Sequence, residues 1–203
     1  MKKLIERLSG LRPTYVMAAL LALGTACAAP AAEAQDGLRP FKNWFVTGDY
    51  VAAGVGLRGT GVNGYATGTI RIDPAQIPAG AEVVAAYLYW QTIGPSGGPD
   101  ASVLAGAQFR RNDISKVAVL VNPAGSSPCW SSGGGTGSAN GSRAIYVYRA
   151  DVMPLLPRIR PASTNEPVRV DVTGSHEVRL PDAGTSNQMP STLGAGLVVV
   201  YRQ

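Results

Sequence analysis

The segment Glu82–Thr92 constrains the fold of this chain more than any other. Val83, Ala85, Tyr87 and Tyr89 alternate there with Val84, Ala86, Leu88 and Trp90. Period two belongs to the β-strand, whose successive side chains point to opposite faces. Both faces are apolar, so the strand is expected to be central and covered on two sides, as in a sandwich.

Other runs repeat the signal. Ala144–Arg149 puts Ile145 and Val147 on one face and Tyr146 and Tyr148 on the other. Lys116–Val121 is β-rich, Val168–Val172 alternates valine with Arg169 and Asp171 so that one face is wet, and Gly196–Arg202 reads as a buried strand. Weaker strands are expected at Phe45–Val51, Tyr65–Ile72, Ser102–Leu104 and His176–Leu180. With 25 Gly and 15 Pro the chain is rich in turns. Helix is confined to a turn within Ala150–Leu156, capped by Asp151 and stopped by Pro157. No repeat argues for a solenoid or propeller. The expected fold is all-β, a β-sandwich or jelly roll of eight or nine strands.

The N-terminus gives the compartment. Lys2, Lys3, Arg7 and Arg12 precede an apolar run from Tyr15 to Ala29, and Ala32-Glu33-Ala34 supplies small residues for a signal peptidase. Cleavage between Ala34 and Gln35 is expected, with residues 1–34 as a bacterial secretory signal, 35–42 as a linker and 43–203 as the sandwich. The run is shorter than the roughly 20 residues a retained span requires, and Pro30 breaks it. A lipoprotein anchor at Cys27 suits the sequence less well, because Gly24 stands where a large aliphatic residue is wanted. The product is expected to be secreted, periplasmic or at the cell surface, with no membrane span once the signal is gone.

Losing residues 1–34 removes four of 18 basic and two of 13 acidic side chains, leaving 14 against 11, a net +3. So small and dispersed an excess argues against nucleic acid. Arg110-Arg111, the one adjacent basic pair of the mature chain, reads as a solvated strand end or loop. The remaining 169 residues suit one domain that buries roughly 70% of its unfolded surface. Cys129 is their sole cysteine, which excludes an internal disulfide in the processed chain. It stands beside Trp130 in a 21-residue Gly/Ser/Pro/Ala loop, Asn122–Ser142, long enough to be functional or mobile.

Several motifs fail on physical grounds. Gly54–Gly59 and Gly59–Gly64 each spell G-x-G-x-x-G, with Asp73 downstream, but a phosphate grip needs a helix to begin there. Gly61, Gly64 and Gly68 among Thr, Tyr and Ile cannot sustain one, so a glycine-rich turn or bulge is expected. No G-x-S-x-G elbow occurs. His176, the single histidine, can be written into a Cys129–His176–Asp171 arrangement, but nothing near Cys129 in sequence would activate its thiol. One histidine and one cysteine cannot close a zinc site. A structural calcium ion is the one cofactor left open, with Asp151 and Asp171 as weak ligand candidates; a turn cap and a solvent face are their plainer roles. Trp44 and Trp130 are the aromatic candidates for ligand binding, with Tyr50, Tyr65, Tyr87 and Tyr89 able to extend a sugar-stacking platform; Trp90 belongs to the core.

Five strings complete the reading: Asn43–Tyr50, Ala85–Trp90, Pro128–Gly134, Tyr148–Val152 and the closing Gly196–Arg202. As a set they resemble the N-terminal β-sandwich domain of large exported bacterial surface proteins of unknown function. The resemblance spans most of residues 43–202, brings no catalytic residues, and implies that more sequence follows the final strand. The leading expectation is a non-enzymatic exported module for surface attachment, adhesion or carbohydrate binding, with a glycan or another surface protein as partner. The alternatives are an extracellular hydrolase or accessory domain acting on polysaccharide or cell wall, and a structural domain that self-assembles through an edge strand.

Overall fold

The computed structural model describes residues 41–95, 101–121, 143–160, 167–184 and 188–203. The expected secretory signal with its cleavage site at Ala34 and Gln35, Cys27, and residues 122–142 with Cys129 and Trp130 lie outside the described residues. Met1–Phe45 and Val46–Gln203 are separate compact units, and every strand belongs to the second. The strands are β1 (Gly48–Gly56), β2 (Tyr65–Ile72), β3 (Glu82–Pro95), β4 (Gln108–Phe109), β5 (Asn112–Asp113) and β6 (Val119–Leu120). They continue with β7 (Arg143–Asp151), β8 (Arg158–Ile159), β9 (Arg169–Val170), β10 (Gly174–Pro181) and β11 (Ser191–Arg202). Three short 3₁₀ turns complete the described residues, so the fold is all-β.

Pairing is nested. β1 pairs with β11, β2 with β10, β3 with β7, and β4 with β5, all antiparallel. Successive pairs alternate between a five-stranded sheet, β1-β11-β3-β7-β6, and a four-stranded sheet, β2-β10-β4-β5. This is a long hairpin rolled into two layers, the jelly-roll form of the β-sandwich. β8 and β9 form a separate two-stranded ribbon.

The core lies between the two layers. The five-stranded sheet contributes Leu88, Trp90, Tyr146, Tyr148, Leu197 and Val199; the four-stranded sheet contributes Ile70, Ile72, Phe109, Val178 and Leu180. Trp90 stacks on Tyr148 with ring centroids 5.5 Å apart, and the Tyr146 hydroxyl donates to the carbonyl of Pro95. β3 is indeed the middle strand of five, but it is not covered on both sides. Ala86, Leu88, Trp90 and Thr92 are buried, whereas Tyr87 and Tyr89 on its other face remain half-exposed.

Other departures from the sequence reading have simple causes. Ser102–Leu104 contributes to a 3₁₀ turn, Ala101–Val103, that inserts Val103 into the core. β1 runs to Gly56 rather than stopping at Val51, because Gly54 and Gly56 pair with Gly196 and Gly194. The chain then turns through 57–64, with Gly59 and Gly64 at positive φ. No helix begins at these glycines, and Asp73 instead caps a 3₁₀ turn by accepting from the Ala75 N–H at 2.9 Å.

Candidate functional site

The predicted ligand residues fall in different parts of the chain. Trp44 lies in the Met1–Phe45 unit, with the Lys42 ammonium 4.3 Å from its ring centroid. Asp151 ends β7, and its Oδ1 accepts from the Met153 N–H at 3.1 Å, at the first residue of the Met153–Leu155 turn whose N-cap position is Val152. Asp171 accepts from the Thr173 N–H and hydroxyl at 2.9 and 2.8 Å. Each aspartate therefore has a local turn to hold. Among the described residues no group of three or more His, Cys, Asp or Glu side chains is placed to hold a metal ion.

His176 is fully buried on the inner face of β10, against Phe109. Nε2 is 2.8 Å from the Val172 carbonyl, and Nδ1 is 3.3 Å from Nη1 of Arg110. An arginine can only donate, so Nδ1 accepts and the proton sits on Nε2, donating to Val172. With both nitrogens engaged, the ring has no free lone pair for general-base work. Burial pushes its pKa below the ordinary 6.5, aided by the Arg110 charge and opposed by the Val172 bond and Asp171.

That shift sets a pH dependence. The unfolded chain binds this proton before the folded one does. Stability from a neutral His176 is therefore complete above pH 6.5 and is lost as pH falls below it, by at most about 1.4 kcal/mol per pH unit. Urea midpoints of the protein should fall between pH 7.5 and pH 5, and His176→Gln should flatten that slope. Equal slopes for the two proteins would refute the assignment.

The surface with binding chemistry is the outer face of the five-stranded sheet. Strand register builds it in rows. Gly54, Gly196, Tyr89, Arg149 and Val119 lie side by side across all five strands. Ala52, Val198, Tyr87 and Asp151 form the next row, and Tyr50 beside Val200 begins a third. Tyr50 is 67% exposed. Next to Tyr89, an open hollow of about 330 Å³ is bordered by Val55, Gln91, Val147, Gly194 and Gly196. Glycines leave its floor without side chains. Gly194 has a second reason to be glycine, since a Cβ there would lie 2.9 Å from the Val55 carbonyl oxygen.

Polar groups flank the rings. The Arg149 guanidinium carbon is 5.8 Å from the Tyr87 ring centroid. Burial, and then the Asp151 carboxylate, raise the Tyr87 pKa above its ordinary 10, which keeps the phenol protonated and able to donate. Tyrosine faces with a glutamine, an arginine and a carboxylate at their margin can stack on an apolar ring face and hydrogen-bond its hydroxyls. Sequence reasoning named Tyr50, Tyr87 and Tyr89 but not Gln91, Arg149 or the glycine floor, which only strand register brings together.

Comparisons with protein-family models, with curated proteins and with solved structures find no match to this chain. Among the described residues no helix is long and apolar enough to cross a membrane.

Proposed function

We propose that this is an exported, non-enzymatic glycan-binding domain whose ligand lies across the outer face of the five-stranded sheet. One observation carries the reading: Tyr87 and Tyr89 stand partly exposed at the centre of a sheet, and Tyr89 lines a glycine-floored hollow. A purely structural sheet face gains little from large aromatics left wet, whereas a saccharide covers such rings with its C–H face and directs hydroxyls to Gln91, Arg149 and Asp151. The jelly roll is also an architecture of lectin domains, although a fold does not by itself specify a function. The sequence supports delivery outside the cell through residues 1–34, and the resemblance to surface-protein domains agrees with it.

A glycan array probed with the full-length chain tests the proposal. Binding to at least one neutral or acidic oligosaccharide is expected, and Tyr87→Ala/Tyr89→Ala should weaken it by roughly 10- to 100-fold, about 1.4–2.8 kcal/mol. The double variant should lose some stability, because both rings are partly buried, and its binding is read under conditions where circular dichroism shows it folded. Retained binding in the folded double variant would overturn the assignment.

A further inference from the structure

The tightest hairpin of the four-stranded sheet carries an anomaly. β4 and β5 are joined by two residues, Arg110 and Arg111, with φ +49° and +63°. Both central positions of such a turn require the left-handed conformation, which Asn and Gly adopt at little cost and arginine does not. Two strained arginines at one turn call for a reason outside the turn itself.

The surroundings supply one. The backbone N–H of Arg110 donates to the Glu177 carbonyl at 2.8 Å. Its Nη1 donates to the Ser175 carbonyl at 3.4 Å and to His176 Nδ1 at 3.3 Å. His176 is itself fixed by Val172 and Phe109, so a buried neutral ring orients this guanidinium, whose Nε and Nη2 make no hydrogen bond among the described residues. Arg111 is exposed and makes no hydrogen bond or ion pair among the described residues. A hollow of about 330 Å³ opens between Arg110, Arg111, Ser175 and Glu177.

We propose that this hollow is a binding site for an acidic saccharide unit, its carboxylate or sulfate held by the Arg110 and Arg111 guanidiniums and a hydroxyl donated to Glu177. Two planar guanidiniums fit an oxyanion through charge-assisted, bidentate hydrogen bonds. The nearby carboxylate disfavours a bare anion but suits a ligand that also carries hydroxyl donors. The site is on the other sheet from the tyrosine face and does not rest on that reading.

The test is an NMR titration of the full-length chain with sodium glucuronate, sodium acetate and glucose, read at the backbone amides of residues 109–112 and the arginine Nε–H groups. Glucuronate should give saturable shifts with a millimolar dissociation constant, acetate much weaker ones, and glucose none. Arg111→Gly should weaken glucuronate binding at least tenfold without lowering the thermal midpoint, because glycine relieves the left-handed strain. Arg111→Asn, equally tolerant of that conformation, should do the same. No saturable shift with glucuronate, or unchanged binding in both variants, would overturn the site. Equal shifts with acetate would overturn the saccharide assignment.

Discussion

Trp90→Ala is expected to cost about 3–5 kcal/mol of folding stability, the range for truncating a large core aromatic. Domains of this kind have only about 5–15 kcal/mol in total, so the variant should lose much of its resistance to denaturant. Trp90 is 1% exposed in the middle strand of the five-stranded sheet and stacks on Tyr148. Its indole N–H is buried without an acceptor among the described residues. The side chain therefore contributes through packing and dispersion, while its one polar group is a liability of about 1–3 kcal/mol. Trp90→Phe separates the two effects, since phenylalanine keeps part of the packing and deletes the unsatisfied donor. Its cost should be about 1–2 kcal/mol. Urea denaturation followed by circular dichroism measures both. Losses below about 1 kcal/mol for Trp90→Ala would show that the packing around this ring does not hold the sheets together.

The same strand shows how far the sequence can be read. Alternation over Glu82–Thr92 marks a central strand, and β2 occupies the expected Tyr65–Ile72 residue for residue. Long strands announce themselves because period two needs several residues to be visible. β4, β5 and β8 are two residues each and carry no period at all. The sequence places the first strand at Phe45–Val51 rather than Gly48–Gly56, because Gly54 and Gly56 look like a turn until their partners Gly196 and Gly194 are known. Alternation also cannot tell whether an apolar face is enclosed or displayed. Tyrosine resolves this only in three dimensions, being as suited to a wet sheet face as to a core. The candidate surface draws Tyr89, Arg149 and Gly196 from three strands joined by nested, long-range pairing. Its members are visible one at a time in the sequence, and their adjacency is not. His176 is the converse case: the sequence argues only against its use as a catalytic base, and burial between Val172, Phe109 and Arg110 shows what it is instead, a strut.

Asp182 is the residue whose importance the sequence hides most, and removing its carboxylate should cost about 2–5 kcal/mol. It follows β10 and is 0% exposed. Oδ1 accepts from the Gly184 N–H and Oδ2 from the Thr192 N–H, both at 2.8 Å. Its own N–H donates to the Gly64 carbonyl at 2.9 Å. The Thr192 hydroxyl donates to the Pro181 carbonyl at 2.7 Å, so at 3.0 Å from it the Thr92 hydroxyl, a hundred positions away in sequence, must be the donor. Through its backbone N–H and its carboxylate, this one residue joins the 57–64 turn, the segment after β10 and the start of β11. Asp182→Ala leaves the buried Thr192 N–H and the partly buried Gly184 N–H without acceptors. Asp182→Asn restores one acceptor but turns an NH₂ group toward the other N–H, so it should recover only part of the loss. Gly61→Ala should resemble them, because a Cβ there would collide with Oδ1 of Asp182. Thr192 also borders the register shift at Thr192/Gly194 that shapes the floor of the tyrosine-lined hollow. Asp182→Asn, assayed at a temperature where it remains folded, should therefore also weaken glycan binding without altering any residue of the surface. Stability within about 1 kcal/mol of the parent in all three variants would show that the junction is held by the strand ladders alone.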